Sequence, residues 1–285
     1  MVVADVYEGL GDIPRDQIKE LRIVQIFPKT TNIANHPPIG MAGEENGRAV
    51  LGTVPVEQDG SARFLVPAGK PVLFQVLDQD GCAYQTMRSL TYVQPGEKVA
   101  CVGCHEHKMT APVSPMAGLA ALRRPASNIQ SGPWDGRPFS YVEVVQPVLD
   151  QHCVRCHGGE KAEGKIDLTG TPQGAFSRSY VTLMQDDRAF WHSGTNPNNA
   201  AKYLVPRFGG RNQVQVTPPG GLYGARGSQL LKLLRDGHED VKLHAAALRR
   251  VATWIDMNAI FYGINLPADQ ARMRRGETVG MPEIQ

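Results

Sequence analysis

Short apolar runs, separated by turn residues, fill the first third of the chain. Asp59-Gly60 divides two of these runs, which is a hairpin signal, and Asp80-Gly81 divides two others. Short strands at such regular spacing predict a compact antiparallel, β-sandwich-like domain over residues 1–98. The predicted strands lie within residues 21–27, 50–54, 62–66, 72–77 and 82–92.

The apolar spacing changes to a helical period in the second half of the chain. Ser140 and Glu143 form a capping-box pattern, and the apolar positions that follow them recur at helical intervals. Pro147 is expected to kink or shorten this helix, which leads directly to Cys153. Further helices are predicted over residues 229–235 and around residues 248–255.

A proline-rich segment separates the two halves. Prolines at positions 112, 115, 125, 133 and 138 keep it irregular, because proline breaks helices and favours extended backbone. The chain is therefore predicted to be an α+β protein in which the β-rich part precedes the helical part. The predicted boundaries are a β-rich domain at 1–98, a segment at 99–137 that contains the first cysteine motif and a proline-rich linker, a helical domain at 138–265 and a polar tail at 266–285.

Composition and charge narrow the range of functions. The 285 residues are 41% hydrophobic and 20% charged, and a formal net charge of +2 gives no case for nucleic acid or an anionic membrane surface. No stretch reaches the length of a membrane-spanning helix. The N-terminus lacks the basic head and apolar run of a secretory signal.

The chemistry lies in two copies of a Cys-x-x-Cys-His pattern. The two thiols of each copy can add to the vinyl groups of a haem, and the adjacent histidine can reach its iron as an axial ligand. Two copies in a chain with 5 cysteines predict a c-type cytochrome with two covalently bound haems, the helical domain being cytochrome c-like. The residues of the two motifs are Cys101, Cys104 and His105, and Cys153, Cys156 and His157.

Other uses of these cysteines fit less well. A Cys₄ zinc site commonly has roughly 15–20 residues between its pairs, whereas 48 residues separate Cys104 from Cys153. A thioredoxin-like motif needs a βαβ context, but prolines follow the first motif. Cys82 is left over and is expected to be a small, half-buried strand residue, with a free functional thiol as the alternative.

The second axial ligand of each iron decides what the haem can do, because histidine, methionine and an open position give different chemistry. For the second haem we favour His238, since Gly237 ends the preceding helix and lets the imidazole turn inward. The competing interpretation of His238 is a histidine that caps the helix C-terminus. For the first haem we favour His36, with Met87, His192 or an open position as alternatives.

Several strings of the sequence resemble one protein family, the hydrazine synthase alpha-subunit-like proteins. The similarity runs from about residue 20 to residue 262. It implies a β-rich middle domain that holds one haem and a helical domain that holds a second, bis-histidine haem, with His157 and His238 as its ligands. The strings are LGTVPVE at 51–57, DGSA at 59–62, VPA at 66–68, MRS at 87–89, CVGCHE at 101–106, GHEDVKL at 237–243 and WID at 254–256.

The chain also departs from this family. In the family's catalytic haem a tyrosine shortly after the Cys-x-x-Cys-His motif binds iron, whereas Met109 stands four residues after His105 here and no tyrosine follows before Tyr141. The family's large N-terminal propeller region is not part of this chain. Both departures predict a member that does not produce hydrazine.

Three functions follow from these observations. The first is extracytoplasmic electron transfer to or from a redox partner protein or a neighbouring haem domain, in a homo- or hetero-oligomer. The second is redox catalysis at the first haem, with the second haem relaying electrons. Glu106, His107 and Lys108 are then candidate proton donors, although a solvated charged turn after the motif is the favoured interpretation of these residues. The third is a structural role in a multihaem assembly. Since haem attachment normally occurs outside the cytoplasm, we expect a mature or truncated piece of a longer exported polypeptide.

Overall fold

A computed structural model describes residues 1–33, 36–42, 45–87, 89–104, 118–134, 136–184, 203–207 and 223–283. The strands are β1 (Val2–Val3), β2 (Glu20–Ile26), β3 (Arg48–Pro55), β4 (Ala62–Arg63), β5 (Val72–Leu77), β6 (Ala83–Thr86), β7 (Ala100–Cys101), β8 (Pro172–Gln173) and β9 (Phe176–Ser177). The α-helices are α1 (Tyr141–Val144), α2 (Gln146–His152), α3 (Arg178–Met184), α4 (Gly224–Gly227), α5 (Gln229–Asp236), α6 (Ala245–Asp256) and α7 (Pro267–Arg274).

The main sheet is antiparallel, with the strand order β3-β2-β5-β6. The central strand β2 pairs with both neighbours, so that Ile23 lies opposite Gly52 on one side and Phe74 on the other. Strands β5 and β6 form the hairpin that Asp80-Gly81 predicted. A second, smaller sheet has the order β4-β1-β7, in which β1 and β7 run parallel. The predicted α+β class with an N-terminal antiparallel β region is confirmed.

The two faces of the main sheet contact different hydrophobic cores. Side chains alternate along a strand, so Leu21 and Ile23 pack among N-terminal residues, whereas Val24 and Ile26 pack against the helices. The helical side of the sheet therefore shares one continuous core with the region that carries the second motif.

The helices begin and end where the local sequence signals place them. Ser140 is the N-cap of α1 and accepts a hydrogen bond from the Glu143 amide at 3.3 Å. The predicted single helix is split at Val145, and Pro147 lies in the first turn of α2, where its missing N–H does no harm. Among the described residues, no helix is both long and apolar enough to cross a membrane.

The hairpin predicted at Asp59-Gly60 is wrong, although the turn itself forms. Gly60 has a φ of 84° and donates its amide to the Glu57 carbonyl at 2.9 Å. The strands on either side of the turn belong to different sheets, because β3 pairs with β2 and β4 pairs with β1. The N-terminal segment packs into the core on the face of the main sheet away from the helices, and its strand β1 is the partner of β4.

Candidate functional site

The second Cys-x-x-Cys-His motif follows α2 without a break. The Cys153 amide donates to the Leu149 carbonyl at 2.7 Å, and the His157 amide donates to the Cys153 carbonyl at 2.9 Å. This tight turn holds both thiols and the imidazole of the motif at the end of one helix. Cys153 and Cys156 are half-buried and not disulfide-bonded, and burial raises the pKa of the Cys153 thiol.

The imidazole of His157 faces that of His238 across a short gap. Their ring centroids are 6.0 Å apart, and the ring planes are inclined by 21°. The Nδ1 atom of His157 lies 3.1 Å from the Glu163 carbonyl oxygen. Because a carbonyl only accepts hydrogen bonds, the tautomer that forms this bond has its proton on Nδ1 and leaves the Nε2 lone pair available to a metal. In metal-binding histidines, the ring nitrogen that does not bind the metal commonly donates a hydrogen bond to a backbone carbonyl.

His238 reaches this position through the way in which α5 ends. Gly237 is the C-cap residue, with a φ of 91° and a ψ of 140°, a conformation that residues with a side chain avoid. A turn then joins the Val241 amide to the His238 carbonyl at 2.9 Å. The backbone thus leaves the helix axis at Gly237 and carries the imidazole of His238 to His157.

This pair of histidines fits an iron with two axial imidazoles. Metal–imidazole bonds of about 2 Å on each side of one ion put the two ring centroids about 6 Å apart. The distance between His157 and His238 is 6.0 Å. Cys153 and Cys156 lie in the same turn as His157, where thioether links to a haem would be needed. The second motif and His238 therefore have the donor set and the spacing for a bis-histidine haem c.

The first motif begins in strand β7, beside an apolar cavity of about 250 Å³. Cys101 pairs with Val3 of β1, and both Cys101 and Cys104 line the cavity. Burial raises the pKa of the Cys104 thiol to about 12, which keeps this thiol protonated at neutral pH. The other residues that line the cavity are Val3, Leu21, Phe74, Val76, Gln85, Met87, Leu90, Thr91 and Gly103.

The two cysteine pairs lie in different parts of the molecule. Cys101 and Cys104 pack against the N-terminal core, whereas Cys153 packs against the helical core. The pairs therefore do not come together as one Cys₄ zinc site. In this arrangement each pair can hold a group of its own, and an apolar surrounding suits a haem.

The structure does not bring His36 to the first motif. His36 is exposed, and it does not line the cavity beside Cys101 and Cys104. The loop that carries it is anchored to the helical part, where the amides of Phe261 and Tyr262 both donate to the Ile39 carbonyl at 2.8 Å. The interpretation of His36 as the distal ligand of the first haem thus has no support from its position.

Other predicted residues lie outside the described residues. One of them is His105, the axial ligand expected from the first motif. The others are Glu106, His107, Lys108, Met109 and His192.

Cys82 is more buried than the sequence predicted. It is 1% exposed, and its Sγ atom accepts a hydrogen bond from the Arg235 guanidinium at 3.1 Å. Burial raises the pKa of its thiol to about 12. A thiol that is buried and protonated is a packing residue, so the alternative of a free functional thiol receives no support.

Two parts of the candidate site gave no signal in the sequence. The Glu163 carbonyl orients His157, but a backbone carbonyl can belong to any residue type. Val3 helps to enclose the first motif although it lies far from that motif along the chain. The contact between Val3 and the first motif becomes evident only from the parallel pairing of β1 with β7.

Comparisons with known proteins point to one family. Residues 16–106 match the family described as hydrazine synthase alpha subunit middle domain. The hydrazine synthase subunit alpha of Kuenenia stuttgartiensis is 22% identical over an alignment of 268 residues, which covers 70% of this chain and 32% of that protein. The solved structure of Kuenenia stuttgartiensis hydrazine synthase superposes with a TM-score of 0.55 at 17% sequence identity, over 93% of this chain and 43% of the other.

These matches confirm the resemblance to the hydrazine synthase alpha-subunit-like family. The structural similarity extends over both the β-rich part and the helical part, since it covers 93% of the chain. The chain spans about a third of the length of the curated relative.

Proposed function

We propose that this relative of the hydrazine synthase alpha subunit is a dihaem c-type cytochrome that transfers electrons outside the cytoplasm. One haem c is held by Cys153, Cys156 and His157, and the other by Cys101, Cys104 and His105. The observation that carries the proposal is the pair His157 and His238, whose imidazole rings lie 6.0 Å apart. Haem iron bound in this way changes charge by one electron without binding substrate.

The protein around the second motif suits a carrier more than a catalyst. If a haem is attached here, His157 and His238 would hold its iron from both faces and leave no position for a substrate. The Glu163 carbonyl fixes the His157 ring, and Gly237 fixes the approach of His238, so little rearrangement accompanies a change of charge. The packing of α2, α5 and α6 in one core keeps these groups in place.

The partner that this function requires is a redox protein or a neighbouring haem domain. The curated relative is a subunit by its printed name, and this chain spans 32% of it, so an assembly with further domains or chains is part of the proposal. The proposed function does not include the formation of hydrazine. The resemblance implies a tyrosine ligand shortly after the motif of the catalytic haem, whereas Met109 stands four residues after His105 here.

The experiment that tests the proposal is haem counting followed by spectroscopy of the oxidised and reduced protein. The full chain, produced with a cytochrome c maturation system, should carry two covalently bound haems, and Cys153→Ser with Cys156→Ser should carry one. At least the second haem should be low-spin and should bind neither cyanide nor carbon monoxide. A second haem that binds either ligand would contradict electron transfer through a closed bis-histidine site.

A second candidate function is redox catalysis at the first haem, with the second haem as the electron relay. The lining of the cavity beside Cys101 and Cys104 favours it, because it contains no histidine among the described residues and so offers the first iron no second imidazole. A high-spin first haem that binds carbon monoxide after reduction would support this enzyme and contradict a simple carrier.

A further inference from the structure

Met87 lies in the same cavity as the two thiols of the first motif. It follows strand β6 directly, and its amide donates to the Phe74 carbonyl at 2.9 Å, which ties its backbone to the edge of β5. Its side chain is half-buried and lines the cavity together with Cys101 and Cys104. A group attached to these thiols would therefore contact Met87.

The chemistry of the cavity wall singles out this thioether. Five of the eleven described lining residues are aliphatic or aromatic and one is a glycine, and the two cysteines would be used in attaching the haem. Gln85 and Thr91 offer an amide and a hydroxyl, which are not usual ligands of haem iron. Methionine sulfur is a standard axial ligand of cytochromes c. Met87 is thus the described lining residue whose donor atom suits the iron.

The side chain of Met87 can adjust to the iron while its backbone stays fixed. Methionine is unbranched and has three rotatable side-chain bonds, so its sulfur can sweep across a cavity at little cost. The backbone hydrogen bond to Phe74 holds the start of that side chain at the sheet edge. A fixed backbone and a flexible side chain together suit a residue whose sulfur binds the iron of a covalently attached haem.

We propose that Met87 is an axial ligand of the first haem iron, an inference that rests on the proposed dihaem function. The two irons then differ in ligation: methionine binds the first, and a histidine pair binds the second. Methionine ligation raises the reduction potential. With both haems bound, the higher potential of the first iron would favour electron flow from the second haem to the first.

The test compares Met87→Leu with Met41→Leu in the full, haem-loaded chain. Met41 is a half-buried methionine packed against the helical core, so its replacement controls for the loss of a thioether elsewhere. Haem content is measured first, followed by optical and EPR spectra of the oxidised protein and a potentiometric titration. Met87→His serves as a second variant that keeps a ligand at the same position.

The expected result is specific to the first haem. Met87→Leu should keep both haems but remove the far-red absorption of sulfur-ligated ferric haem, lower the first potential and let the first iron bind cyanide. Met87→His should restore a low-spin iron at a lower potential than in the wild type, and Met41→Leu should change none of these properties.

Two results would overturn the assignment of Met87 while leaving the dihaem proposal intact. One is a first haem whose spin state and potential are the same in Met87→Leu as in the wild type. The other is a wild-type first haem that is already high-spin. A wild-type chain with fewer than two haems would instead overturn the proposed function itself.

Discussion

At the scale of single residues, the proposed second haem depends on His238 as its second axial ligand. His238→Ala should leave the haem attached through Cys153 and Cys156 but convert its iron to a high-spin form that binds carbon monoxide, because one axial ligand is lost. EPR of the oxidised protein and the optical spectrum of the reduced protein measure this change.

His244→Ala is the matched control for that variant. His244 is exposed, and its Nδ1 atom accepts a hydrogen bond from the Ala247 amide as the N-cap of α6. Its loss should cost about 1 kcal/mol of stability, as for other N-cap residues, without changing either haem spectrum. An unchanged low-spin spectrum in His238→Ala would exclude His238 as a ligand.

Asp59 provides a prediction of pH dependence at a single carboxyl group. Burial alone would raise the pKa of Asp59, but hydrogen bonds from the amide of Ala120 and from Ser61 hold it below its usual value of 3.8. The folded state therefore binds protons less readily than the unfolded state. The stability that the Asp59 carboxylate contributes is present above about pH 4 and is lost as the pH falls through its folded pKa.

Asp59→Asn should accordingly be less stable than the wild type at neutral pH, because its amide group cannot accept both sets of hydrogen bonds. The difference in unfolding free energy should shrink as the pH is lowered from 5 toward 3 (roughly the range over which carboxyl groups titrate). Urea unfolding at several pH values measures it, with the exposed Asp12→Asn as the control. A difference that stays constant over this range would contradict the prediction.

At the scale of secondary-structure elements, the end of α5 connects helix geometry to haem ligation. Gly237 has a φ of 91°, which a residue with a Cβ adopts at a cost of about 1–3 kcal/mol. Gly237→Ala should therefore lower stability and displace His238 from His157, so that part of the second haem becomes high-spin. Thermal unfolding and EPR measure the two effects.

Gly69→Ala separates strain from ligation. Gly69 has a φ of 68° in an exposed turn that lies before β5. Its replacement should also lower stability, but it should leave both haem spectra unchanged. Equal spectral effects in the two variants would show that strain at a distance, and not the end of α5, controls the second haem.

At the scale of the whole molecule, a buried ion pair joins the sheet to the helices. The side chains of Arg22 in β2 and Asp256 in α6 are both 0% exposed, with their charged atoms 3.4 Å apart. The Asp256 carboxylate also accepts the amides of Ala83 at 2.9 Å and Ala225 at 2.8 Å. Gln75 adds a hydrogen bond from its side chain to the Asp256 carbonyl at 2.8 Å.

Asp256→Ala should therefore destabilise the protein by about 3–5 kcal/mol, because it leaves the Arg22 charge buried without its partner. Since the network joins the main sheet to α6, the β-rich part and the helical part should lose structure in one transition. Urea unfolding, followed by tryptophan fluorescence and haem absorbance, measures the loss. Asp16→Ala, which removes an exposed ion pair with Lys19, should have little effect.

Signals that depend on a few neighbouring residues were predictable from the sequence. The Cys-x-x-Cys-His motifs, the Ser140 cap, the break at Pro147 and the end of α5 at Gly237 each follow from the chemistry of adjacent residues. The resemblance to the hydrazine synthase alpha-subunit-like family also rests on short local strings, and the comparisons confirm it. The two haem sites remain a proposal that these local signals motivate.

Contacts between distant parts of the chain were decided only by the tertiary structure. Strand β4 pairs with β1 and not with β3, Met87 lies beside the first motif, and Arg22 contacts Asp256 between the sheet and α6. These contacts depend on sheet register and on which face of each strand is buried, and neither property is encoded by a single local pattern. The sequence alone therefore determined the two Cys-x-x-Cys-His motifs that predict haem attachment, whereas the packing of sheets and helices decided which side chains surround these motifs.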